Sequence, residues 1–89
     1  MGDSELLETI HIAADKAMRF SSLVDFANPS HHREAIELHR YVLRLIGHYY
    51  CFIRIQGEEI DLERSLKSLF VTHQDYLRAH QEAVMIICA

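Results

Sequence analysis

The sequence predicts an all-α fold in which three long antiparallel helices form an up-down-up bundle. Apolar residues recur in alternating steps of three and four along three segments, which is the period of a helix that buries one face. Pro29 and Gly57 interrupt the chain between these segments, and the short connections favour antiparallel neighbours. The 89 residues suit a single domain, 1–89, and 49% hydrophobic residues with one proline agree with a helical core.

The first helix is predicted near residues 4–27. Asp3 or Ser4 can cap its amino end, because a short polar side chain there accepts a hydrogen bond from a free backbone N–H group. Its predicted core-facing side consists of Leu6, Ile10, Ala13, Ala17, Phe20, Val24 and Ala27.

The second helix is predicted near residues 31–56. Pro29 cannot continue a preceding helix, so Ser30 can serve as the N-cap of the next one. The core-facing side of this helix consists of His32, Ala35, His39, Val42, Ile46, Tyr49 and Ile53. Further apolar residues widen this side, as a central helix touching two others requires: Leu38, Tyr41, Leu45 and Phe52.

The third helix is predicted near residues 59–88, after Gly57 ends the second at its C′ position. It should extend beyond the first helix by roughly 9 Å at about 1.5 Å per residue. Its last residues, 83–89, are apolar on every side, which predicts that another surface covers them, either a second copy of the chain or another protein. Its core-facing side consists of Leu62, Leu66, Leu69, His73, Tyr76, His80, Ala83 and Ile87.

Four of the seven histidines lie on the core-facing sides: His32 and His39 on the second helix, His73 and His80 on the third. Folding back around Gly57 brings these imidazoles to one stretch of the core. Several interpretations are open for these imidazoles. They are hydrogen-bonded to Tyr49, Tyr76 or water, or they are exposed at the edge of a loose interface. Alternatively, they gain and lose protons at a pH-responsive interface, or they bind a metal. A metal or haem site would use His39, His73 and His80 to hold zinc or haem iron. No Glu-x-x-His pair lies on a core-facing side and no Cys-x-x-Cys motif occurs, which favours hydrogen bonding and no cofactor.

Composition and charge argue against several classes of function. The net charge is −4 and no block of Lys or Arg occurs, which disfavours direct nucleic-acid binding. The acidic amino terminus does not resemble a secretory signal, and no apolar run is long enough to span a membrane. Cys51 and Cys88 do not make a disulfide framework. We therefore expect a cytoplasmic protein with two reduced thiols.

Enzyme motifs are scarce, and we expect a protein without catalytic activity. No glycine-rich phosphate loop and no nucleophile elbow is present. Arg33 and His39 match the loose spacing of the nuclease motif in HEPN-type helical domains. That match leaves an RNase of this type as a remaining alternative.

Residues 7–12, Leu-Glu-Thr-Ile-His-Ile, and 35–39, Ala-Ile-Glu-Leu-His, resemble parts of small all-helical quorum-sensing anti-activators of the TraM kind. The likeness covers about a dozen residues, and the long third helix departs from the two-helix pattern of that family. The resemblance implies a helical dimer that sequesters a transcription factor of the LuxR type.

We therefore predict a small regulatory protein that sequesters a partner protein, for example a transcription factor, and forms a homodimer. Large apolar side chains away from the core-facing sides contribute most when a partner removes them from water. The predicted partner-binding residues are Tyr41, Leu45, Phe52, Met85 and Ile86. The alternative is a helical bundle that binds a metal or haem through histidine.

Overall fold

The computed structural model describes the backbone of residues 3–56 and 62–89. Side chains are described for residues 4–52 and 66–89. This part of the chain forms three helices, α1 (Asp3–Ser22), α2 (Pro29–Gln56) and α3 (Leu62–Ile87). The predicted all-α bundle of three helices is confirmed. None of these helices is long and apolar enough to cross a membrane.

Helix α2 is the central helix of a rod-shaped molecule measuring 47 × 18 × 17 Å. It packs along α1 and along α3. Phe20 of α1 lies beside His31 of α2, and Arg33 of α2 donates to Cys88 just beyond α3, so both neighbours run antiparallel to α2. The wide apolar side predicted for the second helix therefore packs against two partners.

The core is continuous along the three helices. In α2 every described residue of the predicted core-facing side is buried, while the side chain of Ile53 lies outside the described residues. Burying one large aliphatic side chain contributes about 1.5–3 kcal/mol to stability. The main apolar cluster consists of Ile10, Ala14, Ala17, Val42, Ile46, Tyr49 and Leu66.

Helix α1 ends at Ser22, so the predicted end near residue 27 is wrong. The Ser22 hydroxyl donates to the carbonyl of Arg19, and the Leu23 N–H donates to the carbonyl of Phe20, which closes the last turn. Side-chain and backbone bonds of this kind compete with further helix. Residues 23–28 then form the connection to α2.

Helix α2 begins at Pro29, with Asn28 as its N-cap. The Asn28 side-chain oxygen accepts from the Ser30 N–H at 2.9 Å, and its carbonyl accepts from the His32 N–H at 3.4 Å. Pro29 fits the first helical position because its missing N–H would have no partner there. The prediction of Ser30 as N-cap is therefore wrong by two residues.

Helix α3 ends at Ile87, one residue before the predicted end. Its described part begins at Leu62. The predicted start near residue 59 and the role of Gly57 as helix terminator lie outside the described residues.

Candidate functional site

Four buried histidines meet between α2 and α3. His39 and His73 are completely buried, and His32 and His80 are buried almost as fully. Helical spacing places both α2 histidines toward α3, and both α3 histidines toward α2. Buried polar groups of this kind are normally hydrogen-bonded, so the partners of each ring nitrogen decide what the site can do.

The outer pair lies near the connection between α1 and α2. Nδ1 of His32 lies 2.8 Å from Nδ1 of His80. Nε2 of His32 lies 2.8 Å from the carbonyl oxygen of Phe26. Nε2 of His80 lies 3.0 Å from the hydroxyl of Ser21, at the end of α1. All three helices thus contribute to this half of the site.

The inner pair lies deeper in the core. Nδ1 of His39 lies 2.7 Å from Nδ1 of His73, and Nε2 of His39 lies 2.7 Å from the hydroxyl of Ser21. The Tyr76 ring stacks on His39 with centroids 5.2 Å apart, so this tyrosine contacts the imidazole through its face. Ser21 joins the inner to the outer pair. We call the four imidazoles and this serine the histidine network.

The carbonyl of Phe26 fixes the proton positions in the outer pair. A carbonyl only accepts, so His32 donates through Nε2–H, and its Nδ1 carries a lone pair when the ring is neutral. Nδ1–H of His80 must then donate to Nδ1 of His32. Nε2 of His80 is left as an acceptor, and it receives the hydroxyl proton of Ser21.

The same reasoning continues into the inner pair. Because the Ser21 proton points to His80, its oxygen accepts from Nε2–H of His39. Nδ1 of His39 is then an acceptor for Nδ1–H of His73. Nε2 of His73 is the last atom, a buried lone pair with no hydrogen-bond partner among the described residues. One tautomer of each neutral ring therefore satisfies all five hydrogen bonds of the network.

Burial disfavours the charged form of these rings. It lowers the pKa of His39 to about 4, with further lowering from the neighbouring His73 and His80 when they carry charge. Burial also lowers the pKa of His73. The pKa of His80 is lowered by burial and by the proximity of His32. These histidines are therefore neutral at neutral pH.

Neither Nδ1 pair of the network has the spacing of two ligands on one tetrahedral zinc ion. Two imidazole nitrogens on one tetrahedral zinc ion, at about 2.0–2.1 Å each, lie about 3.3 Å apart. The two pairs here are closer, at 2.7 and 2.8 Å. Among the described residues, no group of three or more His, Cys, Asp or Glu could hold an ion. Zinc or haem binding by His39, His73 and His80 stays a prediction, which elemental analysis and an absorption spectrum would check.

A second feature lies directly outside the network, at the same end of the bundle. Since Ser21 and His80 are level, α3 continues about 9 Å further than α1, as predicted from the helix lengths. Four large apolar side chains are exposed at this end, and we call them the end surface: Leu23 (80%), Phe26 (64%), Met85 (73%) and Ile86 (70%).

The structure does not bring the predicted partner-binding residues to one surface. Because His39 pairs with His73, Tyr41 is level with Val71, which lies about 21 Å along the helix from Met85. Leu45 and Phe52 are half-buried, and Leu45 packs against the core. Tyr41 lies at an open groove of about 230 Å³ between α1 and α2. The groove is lined by Thr9, Ile12, Ala13, Lys16, Leu38 and Tyr41.

The two residues of the HEPN-like spacing lie in different surroundings. Arg33 is exposed, and its guanidinium donates to the Sγ of Cys88 at 3.8 Å. His39 is fully buried, and both of its ring nitrogens are hydrogen-bonded. The structure therefore does not bring the two side chains to one accessible site.

Sequence reasoning missed Ser21, Leu23 and Phe26. The first helix is predicted to continue to residue 27, so Leu23 and Phe26 were not assigned to a connection. The signal for that connection is Asn28-Pro29, where Asn caps and Pro occupies the first helical position. Ser21 lies within α1, and its contacts depend on how α1 lies against α2. Comparison with protein-family models, curated proteins and solved structures finds no match to this chain.

Proposed function

We propose that this chain is a non-enzymatic regulatory protein that binds and sequesters a partner protein through the end surface. The observation that supports this most directly is the exposure of four large apolar side chains at one end of a small domain. Exposed apolar patches of this kind typically mark interaction sites. Such an activity suits the cytoplasm, where the exposed thiols of Cys51 and Cys88 stay reduced.

The proposed occupant of the end surface is an apolar helical segment of another protein. Covering one large aliphatic or aromatic side chain gains about 1.5–3 kcal/mol before the losses of association are subtracted. Met85 and Ile86 lie on the overhanging turn of α3, while Leu23 and Phe26 lie on the neighbouring connection. The resemblance to TraM-type anti-activators suggests a transcription factor as the partner. A second copy of the chain is the competing occupant.

Site-specific photo-crosslinking tests this proposal. A photoreactive phenylalanine analogue at Ile86 should give one predominant adduct in the native cell, because this position faces the bound partner. The same analogue at Gln74, an exposed position elsewhere on α3, is the matched control and should give none. The mass of the adduct distinguishes a heterologous partner from a second copy of 10.4 kDa.

Competition shows whether the adduct is specific. Excess unlabelled wild-type protein should suppress it, whereas the double variant Met85→Glu, Ile86→Glu should not. The variant should keep its helical circular dichroism, because both side chains are exposed in the free protein. Equal competition by the variant, or equal labelling from positions 86 and 74, would contradict binding at the end surface.

A further inference from the structure

The histidine network has one more place for a proton than it has protons in its neutral form. Five hydrogen bonds join its members to one another and to the carbonyl of Phe26. Four neutral imidazoles and one hydroxyl bring one proton each, so every bond holds one proton. Nε2 of His73 remains without a proton, and no atom in the described part of the chain hydrogen-bonds to it.

One added proton can therefore enter without breaking a hydrogen bond. It binds the lone pair on Nε2 of His73, and Nδ1–H of His73 passes its proton to Nδ1 of His39. Nε2–H of His39 passes a proton to Ser21, whose own proton moves to Nε2 of His80. No atom other than hydrogen moves in these transfers, and each link still holds one proton afterwards.

The charge reaches the outer end of the network by the last transfer. Nδ1–H of His80 passes its proton to Nδ1 of His32, which then carries two N–H groups. One of them donates to His80 and the other to the carbonyl of Phe26, a charge-assisted bond. A second added proton would leave two hydrogen-bond donors pointing at each other in one of these hydrogen bonds, and that bond would break.

The surroundings of the network do not neutralise this charge. Among the described side chains, no carboxylate lies within ion-pair distance of the four imidazoles. Asp25, next to Phe26 in the connection, uses its carboxylate to accept from the Ala27 N–H. Among the described side chains, α3 adds the Tyr76 ring, which stacks on His39, and α1 adds the neutral hydroxyl of Ser21.

We propose that the histidine network takes up a single proton in the folded state, and that this proton weakens partner binding at the end surface. The second half of this inference rests on the function proposed above. Phe26 links the two features, because its carbonyl receives the His32 bond while its ring is exposed and meets the His32 ring edge-on at 5.4 Å. A positive charge beneath an apolar surface loses hydration when a partner covers that surface, so binding is disfavoured at acid pH.

Nitrogen NMR of the imidazoles tests the network without any partner. The chain is labelled with a nitrogen isotope at its histidines. Long-range proton–nitrogen correlation spectra then distinguish ring nitrogens that bear a hydrogen from those that carry a lone pair. At neutral pH we expect hydrogen on Nε2 of His32 and His39, and on Nδ1 of His73 and His80. On acidification the four rings together should gain one proton while the amide spectrum of the fold persists. The reverse tautomers, or two protons gained in the folded state, would overturn the proposal.

Two serine variants test the coupling through Ser21. Ser21→Ala separates the inner pair from the Phe26 carbonyl, so His39 and His73 should populate both tautomers while the outer pair keeps one. Ser22→Ala is the matched control, because the Ser22 hydroxyl donates to Arg19 outside the network. Unchanged tautomers of the inner pair in Ser21→Ala would show that the network does not act as one chain, and would overturn the proposal.

Crosslinking from position 86 at decreasing pH tests the effect on binding. Within the pH range in which the fold persists, we expect the adduct to fall about tenfold as the network gains its proton. An adduct of constant yield would overturn the regulation while leaving partner binding at the end surface intact. No adduct at any pH, with the expected tautomers observed, would instead refute the end surface as a binding site and therefore its regulation.

Discussion

At the scale of single residues, burial and hydrogen bonding explain why four histidines are compatible with a helical core. An unpaired polar group in this position would destabilise the fold by about 1–3 kcal/mol. Hydrogen bonds between paired imidazoles, to Ser21 and to the carbonyl of Phe26 satisfy all but one of the eight ring nitrogens within the described part of the chain. The sequence predicted that the histidines converge, because their spacing is that of the helix, and it left open whether they are buried or exposed at a loose interface. It could not predict Ser21 as the link, since this contact depends on how α1 lies against α2.

The same residues make the stability of the fold depend on pH. His39, His73 and His80 have lowered pKa values in the folded chain, whereas an unfolded histidine has its ordinary value of 6.5. Below that value the unfolded chain binds more protons than the folded chain, so stability decreases as the pH falls from about 6.5 toward 4. The free energy of unfolding decreases by about 1.4 kcal/mol per pH unit for each proton that the unfolded chain binds in excess of the folded chain. Urea unfolding at a series of pH values measures it.

The His39→Leu variant provides the control for this pH dependence. It removes one of the groups that bind a proton in the unfolded chain. The difference in bound protons between the unfolded and folded chains should therefore decrease by about one, whatever the overall stability of the variant. A free energy of unfolding that is constant between pH 6.5 and 4 would contradict the neutral, buried state of the network.

At the scale of helices, the sequence predicted the positions inside each helix more accurately than the residues at which a helix ends. The repeating apolar positions of α2 are determined by helix geometry, and all of its described core-facing residues are buried. The end of α1 depends on competing local bonds, such as those of Ser22 and Leu23, which are not visible in an apolar pattern. The apolar spacing of three and four residues continues through Val24 and Ala27. The helix predicted from this spacing is therefore too long.

Two substitutions distinguish the observed N-cap of α2 from the predicted one. Asn28→Ala removes the side-chain acceptor of the Ser30 N–H, and should destabilise the protein by about 0.5–2 kcal/mol. Ser30→Ala changes an exposed side chain inside the first turn, and should change stability by less than about 0.5 kcal/mol. Thermal unfolding of both variants measures the difference. A larger loss of stability for Ser30→Ala than for Asn28→Ala would show that residue 30 is the N-cap.

At the scale of the whole molecule, α2 connects the other two helices, so its core residues affect the entire bundle. Ile46 is fully buried in the apolar cluster, whereas Ile86 is 70% exposed at the end surface. Ile46→Ala should therefore cost about 2–5 kcal/mol, because it removes buried methyl groups and leaves a cavity. The same substitution at Ile86 should change the free energy of unfolding by less than about 0.5 kcal/mol.

Urea unfolding of the two variants tests this division between residues that hold the fold and residues that bind a partner. The total stability of a small domain is about 5–15 kcal/mol, so Ile46→Ala should shift the midpoint strongly and reduce every probe of structure together. Ile86→Ala should leave the midpoint in place and still weaken the competition for the adduct described above. Comparable destabilisation by the two substitutions would mean that the overhanging turn of α3 belongs to the core. In that case the end surface could not be available to a partner.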